Sequence, residues 1–175
     1  VWKRGRSLLA QNLQDRLLAL DVFLDDIAAT NPTRVKGTAV FMSSNANGVP
    51  VVLLHHFKHN KVLHENVILL SIVSESVPEV APRRRVEVHK LAHGFCRVVA
   101  RYGFMQTPNV PWIMKELVVI EGVSVKPAET SYFLGRETLL TGGRGHMPRW
   151  QKAIFSFTSR NALSATQYFA IPPDR

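Results

Sequence analysis

One stretch, Val67-Ile68-Leu69-Leu70-Ser71-Ile72-Val73, limits what this chain can fold into more than any other. Side chains of a strand alternate between two faces, and here both faces are apolar, so the segment predicts a strand covered on either side at the centre of a sheet. It is also the longest nearly unbroken apolar run. It falls far short of the roughly 18 to 20 apolar residues that a membrane-spanning helix needs. With 175 residues, of which 46% are apolar and 20% charged, the chain has the size and composition of one globular domain. That argues against a disordered tail, a collagen-like repeat or a coiled-coil rod. Neither an internal repeat nor a long polar linker divides the sequence.

The elements around the central strand follow from spacing. Leu9, Leu13, Leu17, Leu20, Leu24 and Ile27 recur at steps of four and three, which predicts an amphipathic helix from Ser7 to about Thr30, ended by Asn31-Pro32. Such a stripe packs on its own domain or on a second copy of the chain. Thr38 to Met42 reads as a short buried strand, Asn45-Ala46-Asn47-Gly48 as a turn, and Pro50 to about Lys61 as a helix. Beyond Pro78 and Pro82, Arg85, Glu87 and His89 alternate with Val86 and Val88. The turn His93-Gly94 then leads into a second alternating strand, Phe95 to Tyr102, to make a hairpin. Pro108 and Pro111 introduce a helix through Trp112, Ile113 and Leu117. Tyr132-Phe133-Leu134 reads as a strand, and Pro148 to about Phe169 as a final helix.

The expected fold class is therefore α/β, with α+β as the alternative. It has a mixed, mostly central β-sheet carrying one strand-helix-strand unit and one β-hairpin, with helices flanking it.

Charge and cysteine usage narrow the chemistry. There are 22 Lys and Arg residues against 13 Asp and Glu, giving a formal charge of +9. Such a charge serves phosphate backbones, small anionic ligands or an anionic membrane face. Cys96 is the lone cysteine, which excludes an internal disulfide and four-cysteine zinc sites. His55, His56, His59 and His64 cluster in HHFKHNKVLH, with His55 and His59 at the spacing of a metal pair. Lys58 and Lys61 oppose a cation there, however, and no metal site is expected. No Gly-x-Ser-x-Gly elbow or local triad is present, so no catalytic residue is assigned and hydrolase activity has little support from the residues. Gly142-Gly143-Arg144-Gly145 and Arg83-Arg84-Arg85 are the basic segments with most affinity for a phosphate, although the first lacks the Lys-Ser/Thr of a P-loop. Most aromatics sit at core spacing instead of being interleaved with basic residues, so nucleic acid is not an expected partner.

Four blocks are more specific than any of these patterns: GTAVFMSSNANGVPVVLLHHFKHNKVLHE at 37 to 65, HGFCRVVARYGFMQTPNVP at 93 to 111, SYFLGRETL at 131 to 139, and WQKAIFSFTSRNALSATQYFAIPPDR at 150 to 175. Together they resemble the C-terminal cytosolic domain of the KUP/HAK/KT family of potassium uptake transporters, across nearly the whole chain. The resemblance implies a transmembrane bundle N-terminal to Val1 that carries potassium and coupled protons. No residue of this sequence would then hold either ion, and no cofactor is expected. The opening Val1-Trp2-Lys3-Arg4-Gly5-Arg6, with no initiator methionine or signal peptide, becomes a juxtamembrane basic segment of residues 1–6. Residues 7–175 become one domain on the cytoplasmic side of the bacterial inner membrane.

The resemblance further implies a regulatory or assembly role beside the transmembrane part of the same chain. Homodimerisation and an anionic membrane surface are candidate contacts, and cyclic di-AMP is a candidate ligand because some family members respond to it. Candidate ligand or partner contacts are Lys58, His59, Asn60 and Lys61 ahead of the central strand, together with Arg83, Arg84, Arg85 and Arg144. For the first four, the competing reading is an ordinary solvated helix end.

Overall fold

The computed structural model describes residues 19–43, 48–121, 125–135 and 165–171. These all belong to one compact unit. In chain order they form helix α1 (Leu20–Thr30), strand β1 (Thr33–Ser43), helix α2 (Val51–Asn60) and strand β2 (Val62–Glu75). Next come a single-turn helix α3 (Pro82–Arg85), strand β3 (Val86–Lys90), strand β4 (Phe95–Gly103) and helix α4 (Val110–Glu121). A 3-10 turn (Pro127–Glu129), strand β5 (Thr130–Phe133) and a last helical turn α5 (Ala165–Tyr168) complete them.

Five strands make one mixed sheet in the order β3-β4-β2-β1-β5, so the doubly apolar strand β2 is central as its composition demands. β4, β2, β1 and β5 run parallel, and β3 is the antiparallel edge. Parallel neighbours need crossover connections, and α2 supplies the one from β1 to β2. The α/β class is thus the observed one.

The sheet is covered on both faces. Val67 and Leu69 of β2 pack with Phe23 and Ile27 of α1, Leu53 of α2, and Phe41 and Phe95. Ile68 and Leu70, one residue out of step, pack on the opposite face with Val98 and Tyr102 of β4, Val110, Ile113 and Leu117 of α4, and Ile171. Phe23 meets both Phe57 and Phe95 edge to face, with centroids 5.9 and 6.0 Å apart, and so ties α1 to α2 and to the sheet. Among the described residues no helix is long and apolar enough to cross a membrane.

Several boundaries differ from the sequence expectation. β1 begins at Thr33, not Thr38, because an irregularity between Val35 and Thr38 lets the strand continue past Gly37, whose φ of 107° only glycine adopts readily. β2 likewise starts five residues early. Arg85 ends a helical turn begun by Pro82 and is not the first residue of the following strand. The α1 end is as expected: Asn31 takes the left-handed conformation and its N–H bonds the carbonyl of Ile27. The part of the first expected helix before Ala19, the Asn45–Asn47 turn, the Gly142–Gly145 loop and most of the final helix lie outside the described residues.

Gly103 fixes the crossing where β4 leaves the sheet. A Cβ placed there would lie 2.2 Å from the Pro78 carbonyl oxygen, and Gln106 clamps the same turn by accepting from the N–H groups of Val80 and Gly103. Gly103→Ala is expected to destabilise the fold by about 1 to 3 kcal/mol, the range for overpacking a site that cannot relax. Urea unfolding would read this as a lower midpoint with an unchanged slope.

Candidate functional site

The residues singled out for ligand or partner contact separate to opposite edges of the sheet. Lys58, His59, Asn60 and Lys61 end α2, immediately before β2 begins, and so lie at the edge where the parallel strands start. Arg83, Arg84 and Arg85 follow β2 and lie beside the end of β4, at the edge where those strands finish. Arg144 is outside the described residues. The two basic groups therefore do not converge on one ligand.

Each residue of the first group has a visible local role. Lys58 and His59 bring basic side chains to the last turn of α2, where the helix dipole favours them. His59 lies parallel to His55, ring centroids 6.2 Å apart, on the exposed side of the helix. Asn60 donates from Nδ2 to Nδ1 of His56 at 3.0 Å. Lys61, at φ 55°, is the left-handed residue that turns the chain into β2, its N–H bonded to the carbonyl of Phe57. Among the described residues no group of three or more His, Cys, Asp or Glu is arranged to hold a metal ion.

The second group divides. Arg83 and Arg84 are exposed, whereas Arg85 is half-buried. Its guanidinium lies over the rings of Trp112 and Tyr102, at 5.1 and 5.5 Å from their centroids, and donates to the Val80 carbonyl at 3.1 Å. That geometry uses the planar cation to join α3, β4 and α4. Tyr102 is held neutral, because burial raises its hydroxyl above the usual range more than the Asn109 N–H and the Arg85 charge lower it.

Other arginines carry structure that sequence spacing alone does not show. Arg34 donates to the carbonyls of His64 and His93, both at 2.9 Å, and covers the Phe95 ring. Arg101 bridges Glu75 at 3.1 Å and Glu87 at 3.4 Å. Glu87 also meets His89 at 2.8 Å, and the bonds from His89 and then Arg101 hold its carboxyl below its ordinary range. Arg97 donates to the Gly48 carbonyl at 3.5 Å, just ahead of α2.

Strand order identifies a further locus. From β1 the chain moves through β2 to β4 on one side, then returns to place β5 on the other side of β1. In open α/β sheets the crevice at the carboxyl ends of the strands flanking such a reversal is the usual ligand site. Here those ends are Ser43 of β1 and Phe133 of β5, followed by Leu134 and Gly135. None of the sequence-predicted contacts that are described lies there. Strand order is a property of the tertiary fold, so no local sequence signal could have found the place.

Comparison with known proteins adds lineage to this geometry. The family model described as "K+ potassium transporter C-terminal domain" matches residues 36–175. A "Probable potassium transport system protein Kup 2" of Syntrophobacter fumaroxidans is 53% identical over 175 residues, taking in 100% of this chain and 27% of the relative. A "Probable potassium transport system protein Kup" of Anaeromyxobacter sp. is 53% identical over 179 residues, again 100% of this chain and 27% of the relative. A "Probable potassium transport system protein Kup 1" of Geobacter sulfurreducens is 46% identical over 176 residues, with 28% of its length covered. This chain thus spans little more than a quarter of the curated relatives it matches. No solved structure matches it.

The two arginine environments predict different mutational costs. Arg85→Lys, which keeps the charge but loses the planar stack, is expected to cost about 1 to 2 kcal/mol of folding stability. Arg83→Ser and Arg84→Ser are expected to change it by less than about 0.5 kcal/mol. Paired denaturation curves on the three variants would check the contrast.

Proposed function

The chain belongs to the K+ potassium transporter C-terminal domain family, and from that premise we propose that it is the cytosolic regulatory or assembly domain of a potassium:proton symporter. A transmembrane bundle of the same polypeptide would precede it and move the ions. The observation that carries this reading is the coverage: relatives with transporter names match the whole of this chain with only about a quarter of their own length, 27% in the first case. The described residues offer a two-sided core and helices too short or polar to span a bilayer, which suits a domain attached to a membrane part. The domain performs no catalysis in this scheme and serves on the cytoplasmic side of the inner membrane.

A nucleotide-sensing role is the more specific form of the proposal, with cyclic di-AMP as the ligand to try first. The strand-order reversal between β1 and β5 supports it, because the carboxyl ends of the strands at such a reversal are where open α/β sheets usually bind ligands. Of the sequence-predicted contacts, Arg83 and Arg84 lie at that same edge but beyond β4, and Lys58 to Lys61 at the other. They suit contact with the transmembrane part, a second copy or the anionic leaflet better than contact with the same nucleotide.

Three measurements test these readings. The coding sequence upstream of Val1 is expected to encode about a dozen apolar helices, and their absence would sink the transporter reading. In the full-length protein, removing this domain is expected to leave potassium uptake measurable but changed in rate or regulation. Uptake identical in every condition would overturn a regulatory role. Calorimetric titration with cyclic di-AMP decides the nucleotide form, and no heat at high micromolar ligand would remove it.

A further inference from the structure

The histidines His56 of α2 and His64 of β2 enclose the end of the sheet's shortest parallel strand. Phe133, the last residue of β5, stacks on Phe41 of β1 with centroids 4.7 Å apart and ring planes within 14°. His56 closes on Phe133 edge-on at 4.8 Å and on Phe41 at 5.5 Å, and His64 approaches Phe133 at 6.2 Å. The two imidazoles are 6.3 Å apart. Nε2 of His56 and Nδ1 of His64 are buried; Nδ1 of His64 is bonded to no group of the described residues, while the His56 ring, besides Asn60, interacts with the Val62 backbone. Because the Asn60 amide donates to Nδ1 of His56, that nitrogen is the acceptor and the neutral ring carries its proton on Nε2. A second proton would have to enter at Nδ1, setting donor against donor and breaking the Asn60 bond.

The strand so capped is weakly held. β5 is an edge strand paired to β1 only from Thr38↔Thr130 to Phe41↔Phe133, whereas β2 and β4 pair from Val67↔Phe95 to Glu75↔Gly103. We propose that His56 and His64 form a proton-operated latch: while neutral they cap Phe133 and hold β5 against β1, and proton uptake by the pair releases the edge strand.

The charges around the pair oppose proton uptake without preventing it. On α2, His55, Lys58 and His59 are exposed, as are Lys61 in the turn and Glu65 on β2. Arg34 of β1 fixes a cation beside His64, donating to its backbone carbonyl. Ahead of β5, Glu129 pairs with Lys36 and Lys126. Among the described residues neither imidazole has a carboxylate partner. Burial is the main cause that keeps the proton affinity of both rings below the histidine norm. For His56 the Val62 backbone partly offsets it, and for His64 the neighbouring His56 adds to it.

The sign follows from those lowered values. Above the ordinary histidine value of about 6.5 the pair is neutral in folded and unfolded chains, and its contribution to stability is complete. As pH falls through that value towards the lower folded ones, the unfolded or detached form takes protons first and the contribution is lost.

Amide hydrogen exchange on the 175-residue chain tests the latch, with rates corrected for intrinsic pH dependence and referred to Val67–Leu70 of β2. Between about pH 7.5 and about pH 5, protection at Thr130–Phe133 is expected to fall roughly tenfold more than at β2. His55→Gln should behave as the parent, and His64→Gln should keep β5 protected in acid. Equal acid sensitivity of β5 and β2 in the parent, or undiminished β5 sensitivity in His64→Gln, would overturn the proposal. Where the variant fails to fold, imidazole NMR titration of the parent still decides. Two rings that take protons below the ordinary histidine value, together with loss of β5 signals, support the latch; rings that take them at or above it refute it.

Discussion

Every part of this fold answers to the need to bury β2 on both faces. Val67 and Leu69 face one side and Ile68 and Leu70 the other, all at most 3% exposed, so neither face can be left to water. An antiparallel meander covers one face only. Parallel neighbours bring helices with them, and the connections deliver α1 and α2 to one face and α4 to the other. That choice also sorts the chemistry by edge. The ends of the parallel strands and the start of α2 gather on one side, and the basic last turn of α2 lies on the other.

Among the described residues the basic side chains do not gather into a single patch. Arg34 and Arg97 bond backbone carbonyls, Arg85 lies over two aromatic rings, and Arg101 is shared by two glutamates. Among the candidate arginines that are described, only Arg83 and Arg84 keep their charge for solvent or for a partner. A guanidinium suits such internal work because it presents several donors in one plane and remains charged when partly desolvated. Net charge is therefore a poor guide to this domain's partners, and placement is a better one.

What the sequence made legible was what short-range periodicity encodes. The central strand, the hairpin around His93-Gly94, α2 and α4 all stand where alternation, helical spacing and proline positions put them. The misjudged segments are those governed by distant partners. Thr33 to Val35 lie ahead of the strand expected from Thr38, yet they pair with Val62 to His64, residues that nothing in their own spacing announces. Arg85 alternates with Val86 as a strand residue would, but its rings, Tyr102 and Trp112, come from two later elements. The HHFKHN segment was visible as a cluster, while the split between a solvent-facing pair, His55 and His59, and an inward pair, His56 and His64, depends on how α2 rolls against β1 and β5.

The reversal of strand order and the weakest pairing coincide. β1 is the strand from which the sheet grows in both directions, and β5, on its outer side, is held by one short ladder and the Phe41–Phe133 stack. A domain whose neighbours are to be told of a bound anion or a changed proton count needs an element that costs little to move, and such elements come from the least protected part of a structure. The long β1–β2–β4 ladders cannot serve, since moving them would expose both cores together. β5 adds only partly buried residues to the two cores, Tyr132 to one and Phe133 to the other, whereas the fully buried Val67, Ile68 and Leu70 all belong to β2. That makes the β1–β5 seam the place where a stable three-layer domain can afford a second state.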